Sequence, residues 1–366
     1  MAASPWWRIL PAVPAQLDRP DPVTGYGHRE NTEGLWLREN RVHVRMNAQG
    51  LRDRPRDDEV ASGVVRVAVA GDSITEALQV EERDLFTLRA ERMLQARHRP
   101  VEVLNFGLSG ALPLQQLLFV VHRGLPMGID AAFFVFNARD LASPLMANDS
   151  ILPAYVENSS GELVIGRAFR QRRSHQLADH WIGHAFFWLV DHSLVANALY
   201  VRAKLDVVQA AAPAEMGAQQ GETCAAIAAA VAEGERLWGQ DVPQGAARRL
   251  ARFLADVPVM LEGRPAVFVL SGFGRPDDDC QGERQRRRAL VDVVRTRLDR
   301  AGIGFVDLDA AIAQKLGDQS EYQRMFGFGR KLGRGHLNER GHAVYAQVLT
   351  DAIEALLPTW TERQGR

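Results

Sequence analysis

Five short apolar runs punctuate the chain: Val64–Ala70 (VVRVAVA), Val101–Phe106 (VEVLNF), Ala131–Phe136 (AAFFVF), Ala266–Leu270 (AVFVL) and Ile303–Leu308 (IGFVDL). They are near-continuous rather than alternating, the pattern of strands buried on both faces of a parallel sheet. Between them Glu76–His98, Leu114–Arg123 and Glu283–Ala301 are long enough for crossover helices, and Gly341–Leu357 carries the apolar periodicity of a closing helix. Strand and helix in alternation predict a three-layer α/β/α fold.

Two regions stand outside this alternation. Residues 1–63 form a Pro-, Asn- and Arg-rich N-terminal extension expected to pack on the core, with the phrase RVHVRMNAQGLRDR at Arg41–Arg54. Residues 141–265 form an insertion between the third and fourth runs, read as mostly helical and a candidate lid, with a flexible stretch near Ala210–Gly221. The α/β core then comprises residues 64–140 and 266–366.

Composition narrows the function classes. Lys+Arg 44 against Asp+Glu 45 leave a formal charge of -1, which supplies no general attraction for nucleic acid or an anionic membrane. Cys224 and Cys280 make neither a disulfide framework nor a zinc motif, so no metal and no cofactor are expected. The histidines His175, His180, His184 and His192 lie among Trp181, Phe186, Phe187 and Trp188, which reads as an amphipathic helix before a metal site. No run is long enough to span a membrane. Met1–Leu17 lacks the apolar core of a secretory leader, and Trp6-Trp7-Arg8 is expected to pack on the body. The expected location is therefore cytoplasmic, or periplasmic should the chain be cut from a longer one.

The first run leads straight into Gly71-Asp72-Ser73-Ile74-Thr75 and then a helix. A Ser at the C-terminal edge of a parallel strand points into the crevice where α/β proteins bind ligands. It also meets the positive end of a helix, where an oxyanion is stabilised. The plainer alternative is that Asp72 or Ser73 only caps that helix.

Four phrases in this order resemble the SGNH, or GDSL-type, hydrolase superfamily: Asn47-Ala48-Gln49-Gly50-Leu51-Arg52-Asp53, Gly71-Asp72-Ser73, Asn105-Phe106-Gly107-Leu108-Ser109-Gly110, and His336-Leu337-Asn338-Glu339-Arg340-Gly341-His342. The resemblance covers about residues 40–357, the insertion excepted. It implies a flavodoxin-like five-stranded parallel sheet, Ser73 as nucleophile and His336 as general base. It further implies an oxyanion hole built from the backbone N–H groups of Ser73 and Gly110.

Two positions depart from the family pattern. Where the family has G-x-N-D, this chain has Asn137-Ala138-Arg139-Asp140. Arg139 thus stands in place of the oxyanion Asn, with Asn137 a substitute donor and a structural ion pair the alternative for Arg139. Before His336, where the family carries an orienting Asp, the chain has Gly333 and Arg334. Three outcomes follow: a Ser-His dyad, an acid from elsewhere with Asp307 and Asp309 as candidates, or a crevice kept only for binding.

The reading is a serine-dependent acyl ester hydrolase acting on a small-molecule or glycan ester, since the lead-in resembles that of relatives handling carbohydrate O-acyl groups. The alternatives are an O-acyltransferase using the same Ser-His site and a non-catalytic binding module. A carboxylate on the distal nitrogen of His336 favours the enzyme; a guanidinium there favours the binder.

Overall fold

The computed structural model describes residues 17–137, 149–172, 175–176, 180–193, 195–196, 199, 224–238, 244–271, 282–317 and 319–364. Two small antiparallel hairpins come first, β1 (Asp18–Asp21) with β2 (Gly25–His28) and β3 (Glu33–Trp36) with β4 (Val42–Arg45). The predicted runs then appear as β5 (Val65–Gly71), β6 (Val101–Gly107) and β7 (Ala131–Asn137). The insertion carries a further hairpin, β8 (Ala154–Glu157) with β9 (Leu163–Gly166), before β10 (Ala266–Ser271) and β11 (Gly304–Asp307) complete the series.

The five apolar strands form one all-parallel sheet in the order β11-β10-β7-β5-β6. Counted along the chain this is the order 2-1-3-4-5 of flavodoxin-like folds, whose ligand crevice opens where the order reverses, here between β5 and β7. Alternate strand residues serve two cores. Ala68, Leu104, Phe134 and Phe268 face the helices Pro113–Phe119, Gln244–Met260 and Glu283–Arg300. Val67, Val103, Phe133 and Val267 face the helices Phe86–Ala96, Leu308–Leu316 and Glu339–Gln364. Both faces are covered, which is why the strands read as near-continuous apolar runs.

One predicted element differs. Instead of a helix beginning at Glu76, a single turn Ser73–Glu76 ends at Ala77, which has φ 58, and the crossover helix starts only at Phe86. Ala77, Val80, Leu85 and Leu88 turn aside into a small cluster of their own, which the straight helix would have pulled apart. In the insertion, the helix Trp181–His192 forms as expected, but Trp181 and Trp188 are exposed at 70% and 61%. The stretch Ala210–Gly221, the acidic run Asp277–Asp279 and Trp6-Trp7-Arg8 lie outside the described residues. Among the described residues no helix is long and apolar enough to cross a membrane.

The N-terminal extension closes the open edge of the sheet. Strand β6 is an edge, and its outward backbone groups find side chains in place of a neighbouring strand. Asn105 N donates to Asp53 Oδ2 (3.1 Å), Val103 N donates to Glu91 Oε2 (2.8 Å), and Arg56 Nη2 donates to the Val103 carbonyl (2.8 Å). Arg56 also pairs with Asp53 at 2.9 Å and with Glu91 at 2.6 Å, all three side chains being buried. Burial pushes the Asp53 carboxyl up to about 6 against the pull of Arg56.

Removing one partner from a buried ion pair leaves an uncompensated charge, at a cost of about 3–5 kcal/mol. Arg56→Leu is accordingly expected to lower unfolding free energy by about that amount in urea denaturation. Replacement of an exposed arginine such as Arg38 should cost well under 1 kcal/mol, roughly the range of surface substitutions.

Candidate active site

Ser73 follows β5 directly, at the switch point of the sheet. Asp72 caps the one-turn helix, its Oδ1 accepting from Ile74 N at 2.9 Å, so the capping role falls to Asp72 and the Ser73 hydroxyl is left to other partners. The loop after β6 lies against this turn. Asn105 Nδ2 donates to the Thr75 carbonyl at 2.8 Å while its Oδ1 accepts from Gly107 N at 2.8 Å, and Leu108 N donates to the Gly71 carbonyl at 3.0 Å. A Cβ on Gly107 would overlap the Glu76 backbone nitrogen, so the N-x-G spacing is a requirement of contact between the two loops.

His336 arrives from the opposite end of the chain. Asn338 builds its loop, donating to the carbonyls of Arg324 (2.8 Å) and Gly327 (3.0 Å) and accepting from Gly341 N (3.1 Å) at the start of the final helix. The ring then reaches the serine, with His336 Nε2 2.9 Å from Ser73 Oγ.

The other ring nitrogen meets a residue that no motif singled out. His336 Nδ1 lies 2.8 Å from Glu39 Oε1, and the second carboxylate oxygen accepts from His336 N at 3.1 Å. A carboxylate cannot donate, so Nδ1 carries the proton and Nε2 accepts from the Ser73 hydroxyl. Glu39 sits at the tip of the β3–β4 hairpin with φ 64, an uncommon conformation for a residue with a side chain. Its neighbour Asn40 ties that tip to the core by donating to the Gln79 carbonyl at 3.0 Å. Across the gap Gly335 has φ +94, and a Cβ there would come within 2.8 Å of Glu39 Oε2.

Asp307 and Asp309, the expected candidates for the orienting acid, are placed elsewhere. Both belong to the far edge of the sheet, three strands from β5, or about 14 Å at the usual strand spacing. Asp307 instead binds Arg287 Nη2 at 2.8 Å and caps the helix Leu308–Leu316 through Ala310 N. Asp309 is buried on that helix. Arg334 is exposed, and the group on the distal nitrogen of His336 is a carboxylate. Gly110 lies on the turn after β6 with φ +73, and Asn137 ends β7 at the same edge of the sheet as Ser73. Arg139 and Asp140 lie outside the described residues.

Electrostatics follow from this geometry. Burial alone would push the His336 imidazole down, but the hydrogen bond and charge of Glu39 outweigh it and hold the ring above its usual 6.5. Reciprocally, burial would raise the Glu39 carboxyl, and the hydrogen bonds to His336 hold it below its usual value.

No family model and no curated protein matches the chain. Among solved structures it is similar to a member of the lipolytic protein G-D-S-L family from Veillonella parvula, with 10% identity over 78% of this chain and 97% of that one and a TM-score of 0.35. A lipase/acylhydrolase from Enterococcus faecalis gives 12% identity, 80% and 96% coverage and a TM-score of 0.37. A catalytic mutant of an acetylxylan esterase from Geobacillus stearothermophilus gives 12%, 79% and 94%, and 0.37.

The carboxylate can be tested apart from any turnover. In an NMR titration, His336 is expected to titrate above 6.5 in the wild type. In Glu39→Gln the pairing charge is gone while burial remains, so the midpoint should fall. An unmoved midpoint would show that Glu39 does not govern the ring.

Proposed function

We propose that the chain is a serine-dependent acyl ester hydrolase working through Ser73, His336 and Glu39. The observation that carries this reading is the continuous Ser73–His336–Glu39 hydrogen-bonded chain at the switch point of the sheet. It has the three roles of a catalytic triad, recognised by geometry rather than by position in the sequence. Against the binding-module alternative stands the carboxylate on the distal nitrogen, an arrangement that serves an imidazole required to become imidazolium.

In the proposed reaction Ser73 Oγ attacks the ester carbonyl carbon as its proton passes to His336 Nε2. The ester C=O becomes an oxyanion, received by the backbone N–H groups of Ser73 and Gly110, with Asn137 and Arg139 as further donors from the end of β7 and beyond. Collapse breaks the bond to the alcohol, which leaves with the proton from His336, and Ser73 is acylated. Water then gives its proton to His336 and attacks the acyl carbon; collapse releases the acid and returns the proton to Ser73 Oγ. Glu39 holds the ring in the required tautomer and stabilises imidazolium in both halves. No step calls for a metal or an organic cofactor.

The substrate class we infer is a small O-acyl group on a carbohydrate or metabolite, supported by the resemblance of the Asn47–Asp53 lead-in. Attack by an alcohol in place of water would make the same site an O-acyltransferase.

With a short-chain nitrophenyl ester, Ser73→Ala should lose turnover and labelling by a fluorophosphonate. Glu39→Ala should retain labelling at a reduced rate, with kcat down by roughly 10³–10⁴-fold, as when a triad loses its orienting carboxylate. The acid limb of the kcat/KM profile should lie above pH 6.5, because the raised His336 must lose its proton before it can act as base. Equal turnover by wild type and Ser73→Ala would end this reading.

A further inference from the structure

A second set of ionisable groups, two of its three members buried, lies beside the site. His28, at the end of β2, has side-chain exposure of 1%, and Glu76, at the end of the turn that begins with Ser73, has 2%. His28 Nδ1 is 2.9 Å from Asp18 Oδ1, and His28 Nε2 is 3.0 Å from Glu76 Oε1. These residue types can ligate a metal. Here the two carboxylates meet the two different nitrogens of one ring. The cluster is an ion triad with a half-buried Asp18 and a buried His28 and Glu76, in which burial would push the imidazole down but Glu76 and Asp18 together raise it to about 10.

What this triad holds is the oxyanion loop. Glu76 Oε2 accepts from Ser109 N at 3.1 Å and also from the Ser109 hydroxyl. From the same strand as His28, Tyr26 Oη donates to the Ser109 carbonyl at 2.6 Å. That carbonyl belongs to the peptide unit whose N–H is Gly110 N, and the C=O and N–H of a trans peptide point in opposite directions. Holding the carbonyl therefore sets where the Gly110 N–H points. A hydrogen bond to the carbonyl also polarises the same peptide and strengthens its N–H as a donor. Burial, with the nearby Asp18 and Glu76, raises the Tyr26 phenol far above its usual value, so it stays a donor throughout the working range.

We infer that Tyr26 is a positioning residue for the oxyanion hole, aiming the Gly110 N–H through the Ser109 carbonyl while the Asp18–His28–Glu76 triad fixes the other side of Ser109. This rests on the acyl-transfer reading above and goes beyond it by giving the β1–β2 hairpin a task in transition-state stabilisation. The contribution should appear only when negative charge develops on the substrate oxygen, and hence in kcat rather than in KM.

Removing an oxyanion donor outright costs about 10²–10³ in kcat, so misaiming one is expected to cost about 10–100-fold. The experiment compares wild type, Tyr26→Phe and Ser73→Ala with a nitrophenyl acetate substrate, and measures inhibition by a boronic acid whose adduct with Ser73 carries a tetrahedral oxyanion-like oxygen. Tyr26→Phe is expected to lower kcat by that factor with KM within about twofold. It should weaken boronate inhibition in parallel and leave the thermal midpoint near that of wild type. 3-Fluorotyrosine at position 26, which restores the O–H donor, should recover kcat. Wild-type kcat and boronate affinity in Tyr26→Phe, with Ser73→Ala inactive, would overturn the positioning role alone. So would a loss in which KM and thermal midpoint change along with kcat and the fluorotyrosine does not recover it. Turnover retained by Ser73→Ala would overturn the acyl reading and this inference with it.

Discussion

The bond between Glu39 and His336 is the constraint on which the candidate site depends. An imidazole offered to a serine can act as a base only if its far nitrogen keeps its proton and its plane is held. The local sequence before His336 cannot do this, since Gly333 and Arg334 supply no carboxylate. The acid comes from a separate part of the chain, the β3–β4 hairpin of the N-terminal extension. The left-handed Glu39 at a hairpin tip, the Asn40 contact to the core and the left-handed Gly335 opposite are the local terms of that delivery.

Delivery at hydrogen-bond accuracy needs a rigid support, and buried charges shared between the extension and the core provide it. Arg56, Asp53 and Glu91 bond to the open edge of β6 while pairing with one another. Arg66, inside β5, binds Glu102 at 2.7 Å and the Met127 carbonyl at 2.6 Å, joining strand ends to the loop beneath them. Arg56, Asp53 and Glu91 sit where a sixth strand would otherwise pair, so the extension is fastened by directional bonds rather than by apolar area alone. His28 and Tyr26 continue the pattern toward Ser109. One segment thus touches two of the loops that form the site.

The parts legible in the sequence were those with short-range signatures. Apolar runs of five to seven residues reported strands buried on both faces, and the three motif phrases at strand ends and before the last helix reported the loops at the crevice. Glu39 carries no such signature: it is one acid in a charged loop, and its partner lies 297 positions away. Asp307 and Asp309 looked suitable because they end a strand, but the strand order puts that end at the far edge of the sheet. The helix break at Ala77 was equally hidden, because the residues that follow it are apolar at spacings a helix also tolerates. His28 and Tyr26 were silent for the same reason as Glu39, their roles being set by contacts with Glu76 and Ser109 rather than by neighbours in sequence.

The separation between Glu39 and His336 has a consequence for biogenesis. A ribosome releases Glu39 early and His336 late, so a nascent chain carries Ser73 long before the imidazole that meets it. A polypeptide ending before His336 would lack both the imidazole that meets the Ser73 hydroxyl and the final helix that covers one face of the sheet. Loop-closure entropy grows only slowly with length, so the wide separation is thermodynamically tolerable once the sheet has formed. On the proposed acyl reading, activity therefore reports that synthesis has passed His336, and a cut that removes either Glu39 or His336 switches it off.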